Sequence, residues 1–213
     1  MSGRRARKRV LFCDVDTQVD FMEPVGRLAV PGAQEIVDNL AELTTFAVDK
    51  RIPIIATADS HVEKDAEFKD FSPHCVIGTP GQAKIRATKT ANSQVADMNL
   101  LNRQVQLLLA GELSQLVIEI STLDMFAERI SEKIVRAINP YCVYVYGVAT
   151  EFCVRLAVLG FLLRNYRLKL IIDAIKPIEQ TAGLKAIEEM KKMGAVLTTT
   201  AETLKDLSLG LAP

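Results

Sequence analysis

Two patterns of apolar positions alternate along this chain. Short, nearly continuous apolar runs recur. Between them lie longer stretches with an apolar residue every three or four positions. The first run, RVLFCDV at residues 9–15, is too short for a helix and rich in apolar residues, so it predicts a buried strand that ends among the carboxylates Asp14 and Asp16. PIIATA (53–58), QLVIEI (115–120), YCVYVY (141–146), residues 168–173 and the short 195–198 predict further strands, with Gly147 ending the fourth. Helical spacing predicts a helix over 33–50, where Ile36, Leu40, Leu43, Phe46 and Ala47 share a face, and others near 99–109 and over 126–138, 150–165, 179–193 and 201–207. Gly194 reads as the cap of the helix before it. From 59 to 93 the chain is irregular, and Pro73, Gly78, Pro80 and Gly81 mark turns. A loop that long in a compact domain usually has a task.

Strands alternating with helices predict an α/β fold in three layers, α/β/α, around a mainly parallel central sheet. Sites in such sheets lie beyond the carboxyl ends of the strands. Asp16, Asp59, Thr150 with Cys153, and Asp173 fall at those ends and read as one constellation. The 213 residues carry no internal repeat or linker and fit one domain over 9–213. Ahead of it Arg4, Arg5, Arg7 and Lys8, continued by Arg9 at its start, make residues 1–8 a basic tail, expected to be solvated and disordered.

Composition narrows the partners. Lys plus Arg and Asp plus Glu both number 26, so net charge argues for neither a nucleic-acid nor a membrane partner. No apolar run is long enough to span a bilayer, and the one after the basic start stops at Asp14, too soon for a signal peptide. A cytoplasmic location is the expectation. Cys13, Cys75, Cys142 and Cys153 form no paired framework and read as free thiols.

Cys153 lies in GVATEFCV, where a strand passes into a helix. With Thr150 as N-cap it would stand in the first turn, where the helix dipole and free N–H groups favour a thiolate and can hold an oxyanion. A free cysteine by itself is more often a small buried hydrophobe. Asp16, in DVDTQVDF, can serve as general base to a thiol, and spacing does not choose among Asp14, Asp16 and Asp20. Asp59 and His61 form D-x-H, and His74 follows in the same loop. The chain's two histidines thus stand together with an aspartate, a donor set suited to a divalent ion such as Zn, Fe or Mn. Glu67, Glu63 or water would complete it.

These motifs resemble those of the nicotinamidase and isochorismatase-like cysteine hydrolases. DVDTQVDF with LAVPGA is similar to the D-x-Q-x-D-F opening of nicotinamidases, DSHVEKDAEFKDFSPHCVIGTPG to their D-x-H…P-x-H-C…G-T-P-G loop, and GVATEFCV to their cysteine motif. The motifs keep their order, and the likeness runs from residue 10 to about 200. It implies an isochorismatase-like hydrolase fold and amide hydrolysis through a thioester. Cys153 would be the nucleophile and Asp16 its base; Asp59, His61 and His74 would hold one metal ion, with Glu67 where the family often has a further histidine. The oxyanion hole would be the N–H groups of Cys153 and Ala149, beside a cis peptide near Val148–Ala149. Phe21 and Val148 would line the substrate site. Isochorismatases proper lack the cysteine, so the likeness is to the amidase branch. It implies a small amide substrate, foremost nicotinamide, with N-carbamoyl compounds as a variant, and it fits a homo-oligomer.

One position departs from the pattern. The family carries a lysine at the end of the third predicted strand, and this chain has Ile120 there. A lysine would favour the carboxylate and the thiolate; isoleucine supplies no charge. The chain is then an altered or silent form, or serves a substrate needing less activation, or takes its cation from elsewhere, with Lys84 and Lys89 of the long loop the candidates.

Overall fold

The computed structural model describes residues 9–210, so the basic tail at 1–8 lies outside the described residues. The apolar runs form strands β1 (Val10–Val15), β2 (Ile54–Asp59), β3 (Ser93–Val95), β4 (Gln115–Ile120), β5 (Cys142–Val148), β6 (Arg167–Lys176) and β7 (Val196–Thr198). Between them lie helices α1 (Val19–Met22), α2 (Val37–Lys50), α3 (Leu101–Ala110), α4 (Arg129–Ile138), α5 (Arg155–Leu163), α6 (Gln180–Lys192) and α7 (Thr200–Ser208). The seven strands join in one sheet, ordered β3-β4-β2-β1-β5-β6-β7, and every pairing in it is parallel.

The alternation along β1 builds the layers. Leu11, Cys13 and Val15 face a core shared with α3, α4, α5 and α6. Val10 and Phe12 face the opposite core, shared with α1 and α2 and edged by Leu204 and Leu207 of α7. The strand is covered on both sides, so the whole of it is buried and it reads as a continuous apolar run. The helix ends have local causes. Glu179 accepts from the Thr181 and Ala182 N–H groups to open α6, and Thr199 with Glu202 forms a capping box on α7.

Several boundaries differ from those the pattern predicts. β3 is a short edge strand at the end of the stretch expected to be irregular, and three residues of ladder leave little periodicity to read. β6 runs on to Lys176, which places Asp173 within a strand, where its carboxylate accepts from the N–H and hydroxyl of Thr200 and anchors α7. The helix expected from Thr150 begins as a π-type turn over Thr150–Val154, with Phe152 at non-helical φ −111° and ψ −108°. Thr150 makes no capping hydrogen bond; Ala149 occupies the cap position.

Gly147 does not end β5; the strand continues through Val148. Its φ is +119°, in the region that favours glycine, and a Cβ on it would overlap the Val15 carbonyl oxygen of β1. The two strands thus approach more closely at their carboxyl ends than side chains allow, and β5 slips register against β6 at this point. Gly147→Ala is expected to destabilise the fold by about 3 kcal/mol or more, the sum of backbone strain and overlap. A chemical denaturation midpoint that does not fall would contradict this account of the β1–β5 contact.

Candidate active site

The end of β1 turns sharply, with Asp16 at φ +48°, and carries three carboxylates into the interior. Each meets a different environment, which separates the alternatives that spacing leaves open. Asp20 accepts from the N–H groups of Arg27 and Cys75, at 3.1 and 2.8 Å, and a Cβ on Gly81 would overlap it; it stitches the long loop to α1. Asp14 accepts from the Thr17 hydroxyl at 2.8 Å and lies 2.9 Å from Lys84 Nζ. Asp16 accepts from the Thr57 hydroxyl at 2.5 Å through Oδ1, while Oδ2 is buried without a conventional donor. The weak donor its carboxylate does meet is the Cys153 thiol.

Burial first, and the Asp59 charge second, push Asp16 up to about 7, against the opposing pull of Thr57, Cys153 and Lys84. Burial, then the Asp16 charge, push the Cys153 thiol well above its ordinary value. At neutral pH the pair is therefore a protonated thiol beside a carboxylate poised to take its proton. The turn that presents Cys153 is not the regular first turn expected. The Ala149 carbonyl accepts from Phe152 and Val154, at 3.1 and 3.2 Å, the residues flanking Cys153. The Val148–Ala149 peptide is cis.

The long loop brings Asp59, His61, Glu67 and His74 together, one ligand atom of each lying within 4.8 Å of the others. Nε2 of His61 and Nε2 of His74 both lie 2.9 Å from the same oxygen, Asp59 Oδ2. His74 Nδ1 is 2.7 Å from the Ser72 carbonyl, which requires a donor there. In the neutral ring Nε2 then carries a lone pair, aimed at a carboxylate. Burial works against a charged His74, yet its contacts with Asp59 and Ser72 outweigh it and the net shift is upward. Both ring nitrogens of His61 are buried without a hydrogen bond of proper geometry. Converging lone pairs and orphaned imidazole nitrogens are what a divalent cation satisfies, so these residues fit a metal. Glu63 is exposed and outside the cluster.

Asp16, Cys153, Asp59, Glu67 and His74 open into one cavity. Phe21, Val148 and Ala149 line it, as do Leu28, Val30, Phe71, Leu123, Phe152 and Ile178, which sequence reasoning does not single out. Their signal is weak, because isolated apolar residues in loops look alike whether they face a core or a cavity. Asp65 is also missed. It lies 3.2 Å from His61 Nδ1 and its carboxylate caps the turn that holds Glu67; its position four residues after His61 is the signal that was present. Asp173 stands apart from the cavity. Ile120 is buried in the apolar cluster against which Cys153 packs, and its backbone pairs with that of Asp59. Lys89 is exposed; Lys84 is buried against Asp14.

Known proteins share this fold. The model of the isochorismatase domain family matches residues 10–202. The nicotinamidase of Saccharomyces cerevisiae is 24% identical over 201 residues, covering 83% of this chain and 93% of that protein. Among solved structures, the pyrazinamidase of Pyrococcus horikoshii in complex with zinc superposes with a TM-score of 0.75 at 27% identity, over 90% of this chain and 99% of that one. The N-carbamoylsarcosine amidase of Thermoplasma acidophilum gives a TM-score of 0.72 at 21% identity, over 90% and 96%, a likeness of fold.

If Asp65 orients His61 from behind, Asp65→Ala is expected to weaken zinc binding about 10- to 100-fold without unfolding the protein. Competition with a chromophoric chelator measures this, and an unchanged affinity would remove Asp65 from the site.

Proposed function

This chain belongs to the isochorismatase domain family, and we propose that within it the protein is a metal-containing cysteine amidohydrolase converting nicotinamide to nicotinate and ammonia. The observation that carries this reading is that the Cys153 thiol meets the Asp16 carboxylate in the same apolar cavity that the Asp59 and His74 cluster enters. In this reading Asp16 takes the thiol proton, and sulfur attacks the amide carbon. The C–N bond breaks as Asp16 returns the proton to nitrogen, and ammonia leaves a thioester on Cys153. Water, deprotonated by Asp16, then attacks the thioester; the carboxylate product departs and the proton goes back to sulfur. The N–H groups of Ala149 and Cys153 would hold the carbonyl oxygen while it carries charge.

Asp59, His61 and His74, with Glu67, would hold one divalent ion, Zn, Fe or Mn. Such an ion supplies a Lewis-acidic point of attachment for a ring nitrogen. Phe21, 5.3 Å from the His74 ring between centroids, and Val148 would flank a flat heteroaromatic substrate. The described cavity lining includes no lysine or arginine, while Asp16, Asp59 and Glu67 are acidic. A substrate that carries its own carboxylate would find no cationic side chain in that lining, which disfavours N-carbamoyl amino acids.

A second reading, a catalytically silent binding protein, is favoured by one observation: Ile120 leaves the thiol without a cation at the position where the family pattern has lysine. The two readings differ in outcome. Metal-loaded protein is expected to release ammonia from nicotinamide and not from N-carbamoylsarcosine, and Cys153→Ala is expected to lower the rate by at least about 10⁴-fold while the fold survives. Nicotinamide binding without turnover, at any enzyme concentration, would establish the silent homologue instead.

The pH dependence has a definite sign. Asp16 acts as base only when ionised, so kcat/KM is expected to fall as pH drops through the region near 7. Loading the metal offsets the Asp59 charge that helps raise Asp16, so this limb should move to lower pH. A limb that moves upward on loading would exclude Asp16 as the base.

A further inference from the structure

Lys84 is a buried lysine that the mechanism leaves unused. Its side chain is 6% exposed, and its place is fixed by backbone pairing. Val19 N–H donates to the Ala83 carbonyl at 2.9 Å, Ile85 N–H to that of Thr17 at 3.0 Å, and Gln18 and Lys84 form an antiparallel bridge. Nζ therefore arrives beside β1 at a defined point, 2.9 Å from Asp14 Oδ2 and 2.8 Å from Thr17 Oγ1. Asp14 Oδ2 has no hydrogen-bond donor, so the ion pair is what offsets its charge. Asp14, on the strand, and Asp16, just past its end, lie two positions apart and are both fully buried. Left unpaired, the Asp14 charge would oppose the ionisation of Asp16 and, through it, the loss of the Cys153 proton.

We infer that Lys84 is the electrostatic positioning residue of this site. By neutralising Asp14 it removes a charge that would oppose the ionisation of Asp16, and it brings a buried cation from the long loop to a site whose β4 ends in Ile120. The inference rests on the reading of Cys153 as nucleophile and Asp16 as its base. It does not depend on the substrate or on a bound metal.

The geometry supports a charge-balance role rather than direct contact with the reacting sulfur. Lys84 is not among the residues lining the cavity, and it meets Asp14 and Thr17. It nonetheless draws Asp16 toward its ionised form. Lys84 therefore differs from a lysine at position 120 in mode of action: it removes an opposing charge, where the other would add a favourable one.

The test reads thiol chemistry. The rate of Cys153 alkylation by iodoacetamide at pH 8 is measured for the parent, Lys84→Met, Asp14→Asn and the double variant, with Cys153→Ala identifying the signal. Lys84→Met is expected to slow alkylation by at least about tenfold, because Asp14 loses its counter-charge. The double variant, neutral at both positions, is expected to return to within about threefold of the parent. Asp14→Asn, with Lys84 uncompensated, is expected to react faster than the parent. A merely structural role for Lys84 does not produce that order. If Lys84→Met fails to fold, Asp14→Asn against the double variant still isolates the lysine charge, and equal rates there would overturn the inference. A parent whose Cys153 does not react at all would overturn the nucleophile reading as well, whereas a reactive Cys153 with rates indifferent to charge would overturn the role of Lys84 alone.

Discussion

A carboxylate removed from water must meet a proton, a cation or a set of donors, and the end of β1 removes three of them at once. The way each is satisfied organises the region around it. Asp20 is met by backbone N–H groups, which ties the start of α1 to the long loop through Cys75. Asp14 is met by a lysine from that loop. Asp16 receives one strong donor from β2, Thr57, and otherwise faces a thiol. Two of the three carboxylates thus act as fasteners, and the incompletely satisfied one is left with chemical capacity.

The same economy runs through the long loop. Gln18 grips the backbone of Asp59 from both sides, accepting its N–H at 2.7 Å and donating to its carbonyl at 2.8 Å. A second donation from the same amide, to the Gln82 carbonyl at 2.8 Å, fastens the far end of the loop. The Asp59 carboxylate therefore stands on a fixed backbone, and His61 and His74 converge on it from a segment with little regular structure of its own. Such a segment holds its shape because its polar groups are spent on β1 and β2.

Ile120 shows how little of a site's electrostatics one position decides. Its neighbours are apolar, and in the cluster beside Cys153 it packs as any core residue of β4 does. A cation there would have to be held among those apolar groups by Asp16 and its surroundings. In this chain the buried Lys84 is paired with Asp14 and does not line the cavity.

Strand positions were legible in the sequence because a parallel sheet covered on both faces demands unbroken apolar runs, as in residues 10–13 and 142–146, and helices demand a repeating face. The grouping of Asp16, Asp59, His61, His74 and Cys153 at strand ends and in one loop was legible too, from the alternation that puts carboxyl ends on one edge and from motifs in a familiar order. Spacing alone could not rank Asp14, Asp16 and Asp20, which only the resemblance did, and the sequence did not separate Lys84 from Lys89 or find Asp65 and the apolar residues of the cavity wall. It also misplaced the end of β5 and the start of the helix after it, where the close approach of Gly147 to Val15 and the turn at Phe152 override local propensity. The physical reason is common to all of these. Local pattern determines which residues are apolar, periodic or charged; what a charge faces once buried is settled by strands and loops that meet only in the folded chain.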